Sequence, residues 1–149
     1  MDNLVDTSVL IRSVHRRDPA SRIARQALAN LWKGGHNTLI AFQNAAEFWV
    51  VCTRPASKAN GLGFTPRQVQ RYVSRFEPLF AVLFETPQTY AEWKRLVIAH
   101  RVSGVGAHDT RLVAIMRVHG VENILTLNVS DFKRYSGVKV VHPTDILST

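Results

Sequence analysis

Short apolar runs alternate with longer amphipathic segments along the whole chain, and few folds accept that alternation. The runs at 3–6, 38–41, 80–84, 123–126 and 138–141 have strand length and are rich in Leu, Ile and Val. Helix signals fill the gaps. Thr7 and Ser8 supply N-cap chemistry for a helix through Val9, Leu10 and Ile11. A second helix is expected over 19–33, with Pro19 in its first turn and Ile23, Ala27, Leu28 and Leu31 on one face, ended by Gly34-Gly35. A largely buried helix is expected over 43–52, stopped by Pro55. Others run from Thr65-Pro66 to about residue 77, from the Thr86-Pro87 cap to about residue 100, and over 107–119, where Gly120 closes the helix. Residues 54–64 form the clearest loop, rich in Gly, Pro, Ser and Asn, and a short helical turn over 130–135 separates the last two strands. Strands alternating with helices predict an α/β fold with a mainly parallel sheet of about five strands.

A chain of 149 residues fits one domain, taken as 1–149, and 46% apolar with 20% charged residues is a globular composition. Nineteen basic against eleven acidic side chains leave a net charge of +8. That surplus favours a polyanionic partner, nucleic acid being the commonest; the bland alternative is a soluble protein with a basic surface. Cys52 is the only cysteine, which excludes an intrachain disulfide and leaves it as an inert core residue. No apolar run approaches the roughly 18 residues of a membrane span. Asp2 and Asp6 argue against a signal peptide, so a cytoplasmic protein with no membrane association is expected.

With acids so few, the position of four of them is informative. Asp6 ends the first strand, Glu47 lies within the 43–52 helix, Asp109 opens the 107–119 helix, and Asp131 follows the fourth strand. Carboxylates are seldom set against apolar runs unless something cationic holds them there. In open α/β sheets the functional crevice lies outside the carboxyl ends of the strands, where Asp6, Asn128 and Asp131 fall. Two carboxylates about 5 Å apart, at an effective dielectric near 20, repel by about 3 kcal/mol. Four in one crevice therefore require protons or cations. An all-oxygen set suits Mg²⁺ or Mn²⁺, one or two ions, and disfavours zinc, because no His/Cys cluster has ligand spacing. An acidic, metal-binding pocket within a basic protein is well suited to cutting nucleic acid.

These residues also match a known family. The segments Leu4-Val5-Asp6-Thr7-Ser8-Val9-Leu10, Asn44-Ala45-Ala46-Glu47-Phe48-Trp49 with Thr53-Arg54-Pro55, Ala107-His108-Asp109-Thr110-Arg111, and Thr126-Leu127-Asn128-Val129-Ser130-Asp131-Phe132 stand in order over essentially the whole chain. Together they resemble the PIN-domain ribonucleases, specifically the VapC-type toxins of toxin–antitoxin pairs. The resemblance implies a PIN-like α/β/α sandwich and a Mg²⁺- or Mn²⁺-dependent endoribonuclease. It further implies an RNA substrate, a small antitoxin partner and a homodimer. It implies that Asp6, Glu47 and Asp109 ligate the metal, with Asp131 favoured as the fourth acid over Asn128, where many relatives carry Asp. Ser8, Asn44, Thr126 and Asn128 are then supporting polar groups. Arg54 and Lys58, on the loop after the glutamate helix, and Arg111 are the better candidates for RNA contact.

The residues also admit other readings. Asp6, Asp109 and Asp131 can each act as a helix N-terminal acid, and His108 points away from Asp109 on a helix. Trp32, Trp49 and Trp93 fit apolar helical faces and are expected in the core. A phosphatase with Asp6 as nucleophile expects a second acid two residues on, where Ser8 stands. A PIN-fold binding module without catalysis is the remaining alternative.

Overall fold

The computed structural model describes residues 1–147, and each of the five apolar runs forms a strand of a single sheet. The strands are β1 (Asp2–Val5), β2 (Asn37–Ala41), β3 (Ala81–Leu83), β4 (Asn123–Leu125) and β5 (Lys139–Val141), ordered β3-β2-β1-β4-β5. Every pairing is parallel, so the expected mainly parallel sheet is wholly parallel. The helices are α1 (Thr7–Val14), α2 (Ser21–Lys33), α3 (Phe42–Thr53), α4 (Pro66–Phe76), α5 (Pro87–Ala99), α6 (Gly106–Val118) and α7 (Val129–Phe132). A 3-10 turn, Pro143–Ile146, follows β5.

Alternation within each strand builds the two sides of the sandwich. Val5, Ile40 and Leu125 point to one face and pack with α1, α2, α3 and α4; Leu4, Leu39 and Ile124 point to the other and pack with α5, α6 and α7. Parallel strands need crossovers, and the helices supply them on both faces. The strand order reverses between β1 and β4, a topological switch point that leaves a crevice at the carboxyl ends of those two strands.

Several boundaries differ from the sequence expectation for local reasons. The second helix starts at Ser21 rather than Pro19, because Asp18 first closes a turn with its side chain on the Ala20 N–H (2.8 Å) and its carbonyl on the Ser21 N–H (3.0 Å). Thr65 caps α4 as expected, exchanging bonds with Gln68. The glutamate helix is not largely buried: only Asn44, Phe48 and Cys52 are, while Phe42, Trp49 and Val50 are exposed. Trp49 therefore leaves the expected core set; Trp32 and Trp93 pack against the two core clusters. Cys52 is fully buried, and burial pushes its thiol up to about 12, which keeps it protonated and inert.

Candidate active site

Asp6 leaves β1 directly into the switch-point crevice. Its N–H donates to the Leu125 carbonyl across the strand pair at 3.0 Å, which fixes the backbone where β1 and β4 end. Its carboxylate is buried, and Oδ2 accepts from Ser8 Oγ at 2.7 Å and Thr126 Oγ1 at 2.8 Å. Burial nevertheless dominates and raises the Asp6 pKa; the hydroxyls and the Thr7 N–H pull the other way, and Glu47 adds to the rise. The Asn128 N–H donates to Thr126 Oγ1 at 3.0 Å, and the Leu127 N–H donates to Ser8 Oγ at 3.1 Å. The turn after β4 is thereby tied to the turn after β1.

Thr7 and Ser8 are not caps in the expected sense. The N-cap position of α1 is Asp6, with no side-chain cap bond, and both hydroxyls are turned to carboxylates. Thr7 Oγ1 donates to Glu47 Oε2 at 2.9 Å and accepts from Asn44 Nδ2 at 3.0 Å. Asn44 is fully buried, and its Oδ1 takes the Ala41 N–H at 2.8 Å. Asn44 thus holds Glu47 through Thr7 rather than directly. Gln43 holds the other oxygen: its Nε2 donates to Glu47 Oε1 at 2.7 Å and to the His108 carbonyl at 3.1 Å. Gln43 Oε1 is buried with no hydrogen-bond partner among the described residues.

The His108 carbonyl belongs to the first turn of α6, which carries Asp109. That turn is gripped from three sides. Gln43 binds it from α3, Trp93 Nε1 donates to the Ala107 carbonyl at 3.0 Å, and Thr110 Oγ1 meets the Tyr135 hydroxyl at 2.6 Å. Asp109 is half-buried, and its carboxyl is raised to about 6. Burial is the largest cause, followed by the charges of Asp131, Asp6 and Glu47; Arg134 opposes them. The helix N-terminus should lower it, but burial and three acids win.

Asp6, Glu47 and Asp109 line one cleft of ≈ 600 Å³ with Ser8 and Asn128, while Arg12 and Arg54 stand on its wall. Asp131 is exposed and does not line it, yet its charge reaches Asp109. Among the described residues no ion pair involves any of the four acids. Nor, among those residues, is any group of three or more His, Cys, Asp and Glu side chains drawn together closely enough to hold a metal ion. The carboxylates face a common space without forming a closed cage. Of the expected RNA contacts, Arg54 is in the cleft wall, with Nη1 on the Ala59 carbonyl at 3.1 Å, and Lys58 lies outside it on the same loop. Arg111 lines a separate pocket and is held in a two-bond pair by Glu85.

Sequence reasoning passed over Thr7 as the holder of Glu47, and it passed over Gln43 and Arg12. Gln43 was legible as the residue one turn before Glu47 on the same face. The Arg12 position needed the packing of α1 beside α3.

The PIN domain profile matches residues 4–138. No curated protein matches the chain in sequence. The fold is similar to that of a chain in VapBC2 from Rickettsia felis bound to a DNA fragment from their promoter. The TM-score there is 0.70 at 12% identity, covering 95% of this chain and 98% of that one. A chain of DNA-bound VapBC from Salmonella typhimurium gives 0.70 at 16% identity, covering 96% and 98%. VapC20 of Mycobacterium tuberculosis, described as a Sarcin-Ricin loop cleaving toxin, gives 0.61 at 18% identity, covering 82% and 86%. With the profile spanning all but the first three and last eleven residues, the chain belongs to the PIN domain family.

Proposed function

We propose that this protein is a Mg²⁺- or Mn²⁺-dependent endoribonuclease, the toxin of a toxin–antitoxin pair acting in the cytoplasm. The observation that carries the reading is a concentration of acidic side chains facing one cleft. Asp6, Glu47 and Asp109 share a cleft with no ion pair to any of them among the described residues, and Asp109 is raised to about 6 by burial and its acidic neighbours. A divalent cation relieves that penalty, and the oxygen donors suit a hard ion that keeps several waters and so needs no closed protein cage. The residues that would hold it are Asp6, Glu47 and Asp109, with Asp131 as the outer fourth acid and Asn128 beside it.

Such an ion supplies charge stabilisation at the phosphoryl group and a stronger nucleophile from water. The chain's own residues do the rest. Ser8 and Thr126 fix one oxygen of Asp6, while Thr7 and Gln43 fix the two oxygens of Glu47, so the carboxylates are set before substrate arrives. Arg54 offers guanidinium N–H groups to phosphates at the cleft wall, where Arg12 is already engaged through Nε by Asp18 at 2.9 Å. Partners follow by likeness: the similar structures include toxin–antitoxin complexes, which supports a small antitoxin for this chain. A homodimer is part of the same proposal, from the resemblance to VapC-type toxins.

The test is cleavage of a mixed structured-RNA pool by purified protein with Mg²⁺ or Mn²⁺, with EDTA, and by Asp6→Ala. Cutting that needs both the metal and Asp6 is expected. Cutting that survives EDTA, or that Asp6→Ala retains in full, refutes the proposal.

A further inference from the structure

A second cationic surface lies outside the cleft. Arg67, Arg71 and Arg75 follow one another along α4 at four-residue spacing, and with Gln70 and Ser74 they line a shallow groove of ≈ 340 Å³. That spacing stacks the three guanidinium groups on one helix face at steps of about 6 Å along the axis. All five residues are exposed. Among the described residues none of the three guanidinium groups has an ion pair or side-chain hydrogen bond, whereas Arg12, Arg95, Arg111 and Arg117 each hold a carboxylate. Like charges at this spacing destabilise a helix, so the row is not there for the fold. The fold is served by the opposite face, where Val69 is buried and Tyr72, Val73 and Phe76 pack into the core.

The helix that carries the row is joined to the cleft wall through the 54–64 loop. The 54–64 loop carries Arg54 and Asn60 into the cleft wall, then folds back on α3 through Leu62 N–H to the Val51 carbonyl (3.2 Å) and Phe64 N–H to the Cys52 carbonyl (2.8 Å). Phe64 stacks on Tyr72 of α4 with centroids 5.9 Å apart, and Phe76 of α4 meets Phe48 of α3 edge-on at 5.5 Å. These contacts join α4 to the loop and helix that form the cleft wall.

We propose that the Arg67–Arg71–Arg75 face of α4 binds the phosphate backbone of the RNA strand that enters the cleft, flanking the site of cutting and without base preference. The inference rests on the nuclease reading above. Guanidinium forks match phosphate oxygens, and Gln70 and Ser74 add neutral donors between them. The groove has no aromatic or aliphatic anchor of the kind a protein partner would bury, which favours a nucleic-acid occupant.

The experiment is fluorescence anisotropy of a labelled single-stranded RNA in EDTA, so that nothing is cut, between about 50 and 200 mM salt. Wild type is compared with the triple variants R67A/R71A/R75A and R67K/R71K/R75K, with helix content checked by circular dichroism. Three lost phosphate contacts at about 0.7 each should make the log–log salt slope of the alanine variant shallower by about 2, and the lysine variant should keep it. An unchanged slope in a folded alanine variant overturns the proposal. So does an equal loss toward poly-glutamate, which would make the face a reader of charge and not of phosphate. The two readings separate cleanly. RNA binding with an arginine-dependent slope but no cutting under Mg²⁺ removes the nuclease and keeps this surface; cutting with an arginine-independent slope does the reverse.

Discussion

Replacing Asp109 by asparagine should stabilise the metal-free protein while removing its activity, because the carboxylate sits where folding alone would not put it. Its pKa rises from the ordinary 3.8 to about 6, first through burial and then through Asp131, Asp6 and Glu47. The sign follows from linkage. An acid whose folded pKa is raised carries no penalty below its unfolded value near 3.8, and its full penalty once the pH exceeds about 6. At about 1.4 kcal/mol per pH unit the full rise would be worth about 3 kcal/mol at pH 7.5. The group is only half-buried, so solvent screening reduces this to about 1–2 kcal/mol. For a chain of this size that is a rise of about 3–6 °C in Tm. The assay is thermal unfolding of wild type and Asp109→Asn in EDTA at pH 4 and pH 7.5, then at pH 7.5 with Mg²⁺. The two proteins should melt together at pH 4 and diverge at pH 7.5 in favour of asparagine. Mg²⁺ should raise the wild type more than the variant, and the variant should cut RNA orders of magnitude more slowly. Equal or lower stability of Asp109→Asn at pH 7.5 in EDTA would refute the electrostatic account of the site.

Thr7→Val strands the fully buried Asn44 Nδ2 and frees one oxygen of Glu47, for about 1–3 kcal/mol of stability; Thr7→Ser should restore both, and a valine variant with the wild-type urea midpoint contradicts the bridge. Gly61→Ala would set a Cβ 2.2 Å from the Pro55 carbonyl oxygen and 2.7 Å from that of Arg54. The loop must shift, destabilising by about 1–3 kcal/mol and raising KM through Arg54; unchanged stability and KM count against it. Asp131→Asn should lower the Asp109 pKa, read by carboxyl NMR titration, and slow cleavage less than Asp109→Asn does. A titration unmoved by this change excludes Asp131 from the electrostatics of the site.

The layer order was legible because periodicity is a local property: runs such as Leu4-Val5 and Ile124-Leu125 alternate faces, and Gly120 closes α6 with a left-handed φ of +68°. Asp6, Glu47 and Asp109 stand out in the sequence because a carboxylate against an apolar run is an anomaly, and they share the cleft; Asp131, singled out on the same ground, is exposed and does not line it. What their neighbours do was not legible. Thr7-Ser8 reads as a cap in the chain alone, and only the approach of α3 and β4 turns those hydroxyls onto Glu47 and Asp6. Arg111 reads as an RNA contact until Glu85, 26 residues earlier in the chain, is found holding it. Trp49 reads as core until packing leaves that side of α3 open. Sequence thus determined which elements form and which residue types are chemically anomalous, since both depend on near neighbours and residue chemistry. Tertiary structure decided which hydroxyl, amide or guanidinium serves which carboxylate, because hydrogen bonds and desolvation depend on distances between residues far apart in the chain.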